Sequence, residues 1–130
     1  MFILSGFADE ISPSLDEQLA VLGAESISHL ELRSVWGTNV ADLDDMQIAS
    51  LRRALGETGV HVSAIGSPIG KIRVDAPLPP ELERMRRVAG IASELGTPIV
   101  RVFSFFIPPG EPAERHRQRA AMSSRSDLSA

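Results

Sequence analysis

Short apolar runs alternate with amphipathic segments at a nearly constant interval, and this alternation constrains the fold more than any other feature of the chain. The apolar runs occupy residues 2–7, 27–33, 60–65 and 99–106. Between them, leucine, isoleucine, valine or alanine recurs every three or four residues, as on one face of a helix. The interval of about 30 residues is that of one βα unit. The pattern therefore predicts an α/β fold with four parallel strands in the order 1-2-3-4, joined by helical crossovers.

The ends of the predicted helices carry capping signals. Ser14 opens a Ser-x-x-Glu capping box ahead of the first helix. Asp44 or Asp45 is the expected cap of the second helix, and Gly59 is expected to end it. The third and longest predicted helix covers residues 77–95 and is followed by a glycine and a proline. These signals separate the apolar runs into discrete strands and helices.

The two faces of a predicted strand distinguish a barrel from an open sheet. In the second strand, Leu30 and Leu32 make one face aliphatic, while Glu31 and Arg33 lie on the other. The fourth strand repeats this pattern, with Arg101 on its polar face. A central strand of a doubly wound sheet is apolar on both faces, whereas a barrel strand has polar residues at its catalytic rim. The pattern favours a partial (β/α)8 TIM barrel of four βα units over a small complete doubly wound domain.

Composition sets the remaining limits. A (β/α)8 barrel needs about 250 residues, so the 130 residues of this chain correspond to half of one. We expect residues 1–117 to form the N-terminal half of a barrel. Residues 118–130, which are poor in large apolar side chains, are expected to form a weakly ordered tail. The 43% share of hydrophobic residues is enough for one core.

Charge and cysteine content exclude several classes of partner. The formal net charge of −4 argues against nucleic acid and against an anionic membrane as partners. The absence of cysteine excludes a disulfide scaffold, a thiolate zinc site and a cysteine nucleophile. No apolar run reaches the roughly 18 residues of a membrane span. The first strand is followed at once by Asp9 and Glu10, unlike a signal peptide. We therefore expect a cytoplasmic protein.

Three side chains of different chemistry follow the second strand. Glu31 and Arg33 lie at its end and Trp36 comes just after it. A carboxylate, a guanidinium and an indole can form a binding rim for a polyol or its phosphate. The alternative interpretation is an ion pair between Glu31 and Arg33 on the strand, with Trp36 packed on the loop.

A glycine-containing loop follows the third strand, from Gly66 to Lys71. It has three residues between its glycines, and Ile72 follows the lysine. A Walker loop has four residues there and a serine or threonine after the lysine, so the spacing argues against a nucleoside triphosphate site. Backbone amides of this loop, together with Lys71, can instead contact an anionic ligand, and a plain turn is the alternative.

Arg101 lies within the fourth predicted strand, where a guanidinium needs an anionic partner. That partner is either Glu31 on a nearby strand or a group of the substrate. The three histidines do not cluster in the sequence, so their spacing predicts no metal site.

Four segments at the ends of the predicted strands carry a family resemblance. They run from Ser5 to Ser12, Leu30 to Gly37, Ser63 to Lys71 and Arg101 to Phe106, and the resemblance that they carry covers residues 1 to about 117. These segments resemble the sugar phosphate isomerase/epimerase family of xylose isomerase-like TIM barrels. The resemblance implies a small sugar or sugar phosphate as ligand. It also implies a divalent metal, Mn, Mg, Co or Zn, and a proton moved next to the sugar carbonyl by a pair of carboxylates.

The resemblance places the metal ligands and the proton-transfer residues of the family in the second half of the barrel. We therefore expect a truncated member that is inactive alone and holds no metal, and the catalytic residues are not assigned here. First-half rim positions carry over as candidate substrate contacts: Glu31, Arg33, Trp36, Ser67, Lys71, Arg101 and Phe103.

Two alternatives to this interpretation remain. One is a non-catalytic half-barrel that forms a homo-oligomer through its exposed sheet edges, because its first and fourth strands have no neighbour on one side. Its inner face, where Ile65 and Phe103 are expected, would then have nothing opposite. The other is a small phosphate-binding α/β domain.

Overall fold

A parallel β-sheet with helices packed against it forms the centre of the structure, a computed structural model that describes residues 3–107, 109–112, 114 and 117. These residues form six strands and three α-helices. In chain order the elements are β1 (Ser5–Gly6), α1 (Leu15–Ala24), β2 (His29–Leu32), β3 (Ser34–Val35), β4 (Thr38–Asn39), α2 (Asp45–Thr58), β5 (His61–Gly66), α3 (Leu78–Glu94) and β6 (Val100–Arg101). Short 3-10 helices cover Ala8–Glu10 and Val40–Asp42.

The main sheet has the order β1-β2-β5-β6, which corrects the predicted order 1-2-3-4. The four predicted segments are neighbours in the sheet and every pairing between them is parallel. The numbering differs because β3 and β4, which were not predicted, form an antiparallel hairpin between β2 and α2. Trp36 and Gly37 form its two-residue loop with φ angles of 54° and 70°. Positive φ at both loop positions gives a hairpin the twist of its strands.

The strands are shorter than the apolar runs that predict them. β1 covers two residues of the predicted 2–7, and residue 2 lies outside the described residues. β2 lies inside the predicted 27–33, and β6 covers two residues of the predicted 99–106. An apolar run marks a segment that is buried on at least one side, but the ladder extends only as far as a neighbouring strand supplies partners.

The remainder of the fourth predicted strand pairs with the loop after β5. The backbone amide of Phe103 donates to the carbonyl of Ile69 at 2.7 Å, and that of Phe105 donates to the carbonyl of Gly70 at 3.0 Å. An ideal Cβ on Gly70 would lie 1.8 Å from the carbonyl oxygen of Phe103. The two backbones therefore lie so close together that only glycine fits at position 70. This pairing holds the loop that contains Lys71 against the end of β6.

One hydrophobic core lies on a single face of the sheet. Leu30 and Leu32 of β2 are fully buried in it, together with leucine, isoleucine and valine side chains of all three helices. Glu31 and Arg33, on the opposite face, are half-buried and lie outside the core. The predicted division of β2 into an aliphatic and a polar face is confirmed.

A register shift in β5 moves one predicted inner-face residue into the core. Leu30 pairs with Val62, but after an irregularity at Glu31 it is Ile65 that pairs with Leu32. A shift of one residue transfers a side chain to the other face of the sheet. Ile65 is accordingly fully buried in the core, and its predicted place on an uncovered inner face is wrong.

The predicted caps are present at two helices. At α2, the Asp44 carboxylate accepts from the amide of Gln47 at 2.7 Å and the Gln47 side chain accepts from the amide of Asp44 at 3.0 Å. Gly59 ends this helix in the left-handed conformation. At α1, the Ser14 hydroxyl accepts from the amide of Glu17 at 3.5 Å.

The predicted tail, residues 118–130, lies outside the described residues, so the boundary at residue 117 stays a prediction. In the part of the chain that the structure describes, no helix combines the length and the apolar character needed to cross a membrane.

Candidate functional site

Cationic and aromatic side chains alternate along the carboxyl ends of the strands. The guanidinium carbon of Arg33 lies 4.4 Å from the ring centroid of Phe7. That of Arg101 lies 5.9 Å from the Phe7 centroid and 4.7 Å from the Phe103 centroid. Nζ of Lys71 lies 5.6 Å from the Phe103 centroid. We call these five side chains the cation–ring row. Each cation is near the negatively polarised face of a ring, which attracts it.

The topology of the sheet explains how the row forms. Phe7, Arg33 and Arg101 come at or just after the ends of β1, β2 and β6, and Lys71 lies in the loop after β5. The carboxyl ends of parallel strands meet at one edge, so side chains from distant parts of the sequence converge there. Gly66 makes room for them, because its ideal Cβ would lie 3.3 Å from both Arg101 Nη2 and Phe7 Cε1.

Arg33 is paired with carboxylates within the fold. Its Nε donates to Asp9 Oδ2 at 2.7 Å and its Nη2 donates to Asp9 Oδ1 at 2.8 Å. Glu10 Oε1 lies 3.4 Å from the same Nη2. The hydrogen bonds that Arg33 donates to Asp9 raise the pKa of Arg33 above its ordinary value, against the opposing effect of burial. The charge of Arg33 is thus neutralised by its own chain, and the bidentate geometry fixes its position over Phe7.

Arg101 has no carboxylate partner among the described residues. Its Nη2 makes a long contact of 3.4 Å to the carbonyl of Ser67, and its buried Nε has no hydrogen-bond acceptor among the residues that the structure describes. Lys71, whose Nζ lies near the same Phe103 ring, also forms no ion pair within the described part of the chain. The row therefore ends in two positive charges that the described fold does not neutralise.

Ser67 and Glu31, two of the predicted substrate contacts, have neighbours that differ from those expected. Ser67 is fully buried, where its hydroxyl donates to the carbonyl of Arg101 at 2.5 Å and accepts from the amide of Ile69 at 3.3 Å. Its polar capacity is used to join β5 to β6. Glu31 pairs in register with Ala64, and neither the expected Glu31–Arg33 pair nor a Glu31–Arg101 pair is formed.

Trp36 lies apart from the cation–ring row. It occupies the loop of the β3–β4 hairpin and lines a depression together with residues of α2. The structure thus joins Arg33, Lys71, Arg101 and Phe103 of the predicted set, and it places Trp36 at a second location.

Phe7, Asp9 and Glu10 were not predicted as members of the site. They follow the first strand directly, in the position where residues of a parallel sheet reach the carboxyl edge. Applying the same strand-end rule to the first strand as to the others would have found them.

The carboxylates at this edge do not form a metal cage. Asp9 and Glu10 are turned toward Arg33, and among the described residues no group of three histidine, aspartate or glutamate side chains is arranged to hold an ion. Metals such as Mn²⁺ and Mg²⁺ require several converging oxygens. Comparisons with models of protein families and with curated proteins found no match for the chain. The resemblance to sugar phosphate isomerases therefore rests on the sequence segments themselves.

Proposed function

We propose that the cation–ring row binds the phosphate group of a small sugar phosphate, with Arg101 and Lys71 as its contacts. The observation that carries this proposal is the pair of cations near the Phe103 ring that have no carboxylate partners in the described part of the chain. A phosphate offers several oxygens to both, and charge-assisted hydrogen bonds to it are about twice as strong as neutral ones.

The two rings orient Arg101 for such a ligand. Phe7 and Phe103 both lie near its guanidinium carbon, and its Nε is buried. The remaining N–H groups are those that an incoming anion can reach, in the fork geometry that suits phosphate and carboxylate. Arg33 does not compete for the anion, because Asp9 already occupies its two parallel donors.

The sugar portion of the ligand extends over the polar face of the sheet in this proposal. Glu31 lies half-buried on that face, and no described residue pairs with its carboxylate, which can accept from sugar hydroxyls. The resemblance supports assigning the chain to the sugar phosphate isomerase/epimerase-like barrels, whose reaction moves a proton next to the carbonyl. We derive no step through the divalent metal of that family, because the described donors do not fit one.

Calorimetric titration with glucose 6-phosphate, glucose and inorganic phosphate tests the proposal. We expect saturable binding of glucose 6-phosphate that weakens as salt increases, and binding of glucose that is much weaker and independent of salt. Arg101→Ala should weaken the affinity by about tenfold or more, the usual scale for a lost charge-assisted bond.

Arg53→Ala is the matched control, because it removes the same charge from an exposed position on α2. It should leave the affinity unchanged. Equal loss in Arg53→Ala and Arg101→Ala would show nonspecific attraction, and an unaffected Arg101→Ala variant would remove this residue from the site.

A second candidate function is that of a non-catalytic half-barrel that associates with itself. The observation that favours it is the apolar β6 edge, where 58% of Ile99 and 46% of Val102 are exposed. Among the described residues, β6 has a neighbour on one side only. A small phosphate-binding α/β domain would share the anion site but would remain monomeric.

A further inference from the structure

We propose that Trp36 forms the floor of a second binding site, which takes the ring of a neutral pyranose sugar. The site is a depression of about 400 Å³ between the β3–β4 hairpin loop and the first turns of α2. Its lining consists of Trp36, Asp44, Met46, Gln47 and Ser50. It does not include the cation–ring row, and the inference does not rest on the phosphate site proposed above.

The backbone at Trp36 is strained without a gain in burial. Its φ of 54° lies in the left-handed region, and the first position of such a hairpin loop favours asparagine or glycine. Its amide donates to the carbonyl of Pro13 at 2.6 Å, which holds the loop in place. The side chain is nevertheless 38% exposed and lies outside the hydrophobic core. Strain of this kind is typical of sites where a side chain is presented to a ligand.

The polar groups around the indole are both ordered and available. The capping box uses Asp44 Oδ1 and Gln47 Oε1, which fixes both side chains at the start of α2. Asp44 Oδ2, the Gln47 amide NH₂ and the Ser50 hydroxyl have no hydrogen-bond partner among the described residues. The site therefore offers one anionic acceptor, one amide donor and one hydroxyl beside an aromatic face.

This set of groups matches a pyranose ring better than other small ligands. The weakly positive C–H groups on one face of a pyranose can lie against the negative face of an indole, while its hydroxyls both donate and accept. The exposed methionine side chain of Met46 extends the apolar floor. Asp44 disfavours an anion here. A quaternary ammonium ion would leave the Gln47 and Ser50 donors unpaired.

The chain contains one tryptophan and no tyrosine, so its tryptophan fluorescence reports on Trp36 alone. We would titrate the full chain with methyl β-D-glucopyranoside, with sorbitol and choline chloride in parallel. We expect a saturable change in emission with the glucoside in the millimolar range, as for a small site with few hydrogen bonds. Sorbitol carries hydroxyls but no flat ring face and should give no saturable change.

Three variants separate this site from general effects. Ser50→Ala should weaken glucoside binding by about two- to tenfold, the range for one lost hydrogen bond. Arg101→Ala should leave it unchanged. Trp36→Asn places a residue that the loop conformation favours, so the chain should remain folded by circular dichroism while saturation-transfer NMR of the glucoside loses its signal.

The proposal is overturned if the glucoside produces no saturable change or if sorbitol produces the same change. It is also overturned if choline binds in place of the glucoside, or if Trp36→Asn still binds it. Arg101 belongs only to the phosphate site. If the phosphate proposal fails, the glucoside titration still tests the Trp36 site, and if glucoside binding fails, the phosphate titration still tests the cation–ring row.

Discussion

Two arginines at the same edge of the sheet have different electrostatic surroundings, and this difference determines which of them can bind an anionic ligand. Arg33 faces Asp9 in a bidentate pair, whereas Arg101 faces two rings and a backbone carbonyl. A guanidinium that is already paired gains little from a second anion, and an unpaired one gains more. At the residue scale, we therefore expect Arg33 to act as a positioning residue and Arg101 to act as the ligand contact of the proposed phosphate site.

Replacing Asp9 with asparagine should destabilise the fold by about 1 kcal/mol. The amide nitrogen of asparagine is a donor and would face the donors of Arg33, whose side chain is two-thirds buried. Urea unfolding would measure the loss. Glu83→Gln is the control, because its pair with Arg86 is exposed on both sides, and it should change the free energy of unfolding by a few tenths of a kcal/mol at most. Equal losses in both variants would contradict the structural role of Asp9.

Replacing Gly70 with alanine should destabilise the fold by more than about 2 kcal/mol. The φ of 81° disfavours a side chain, and the new Cβ would overlap the Phe103 carbonyl. Gly56→Ala provides the comparison. Gly56 lies inside α2, and apart from the helix's own backbone its ideal Cβ would meet no atom within 4 Å, so this variant should gain about 0.5–1 kcal/mol. Thermal unfolding of both would test the pairing between the loop and residues 103–106, and a Gly70→Ala variant as stable as the wild type would disprove it.

At the scale of elements, helix ends are defined by local chemistry that the sequence already contains. Asp44 and Gln47 satisfy each other's backbone amides, and Gly59 adopts the left-handed conformation that ends α2. These contacts join residues a few positions apart, so they form wherever the helix forms. The β3–β4 hairpin is also local, but its loop contains tryptophan where such loops usually have asparagine or glycine, which removed the usual signal.

The two helix caps should differ in strength. Asp44→Ala should cost about 1 kcal/mol, because it removes a 2.7 Å bond and a negative charge at the start of α2. Ser14→Ala removes a 3.5 Å contact at α1 and should cost about half as much. Chemical denaturation of both variants would measure this difference. A larger loss in Ser14→Ala would contradict the cap geometry described here.

At the scale of the whole molecule, the described part of the sheet has two edge strands and one face covered by helices. The helices cover the face that carries Leu30 and Leu32, and β1 and β6 are the edge strands among the described residues. Apolar edge strands tend to pair with another chain unless charges interrupt them. Ile99 and Val102 expose much of their side chains next to the single charge of Arg101.

Replacing Val102 with lysine should therefore reduce self-association. We expect dimers or larger species of the wild type at micromolar concentration in sedimentation velocity, and a shift toward monomer in the variant. Met46→Lys adds the same charge at a position that is 81% exposed and lies on α2, and it should leave the distribution unchanged. A strictly monomeric wild type with a sharp thermal transition would instead favour the small complete domain.

The sequence by itself determined the parallel α/β arrangement, the helix caps and the polar face of β2. Each depends on periodicity or on neighbouring residues, as with Leu30 and Leu32 on one face and Asp44 at its cap. Four of the predicted contacts also came together, because the ends of parallel strands share an edge.

Only the tertiary structure decided which charges remain available and which residues leave their expected face. Asp9 pairs with Arg33 from 24 residues away, and the register shift that buries Ile65 depends on how β5 fits against β2. The Ser67 hydroxyl donates its hydrogen bond to the carbonyl of Arg101, 34 residues further along the chain. Such pairings join residues that are far apart in the sequence, so no local pattern predicts them. The free energy of each pairing depends on which other groups the fold brings to the same place.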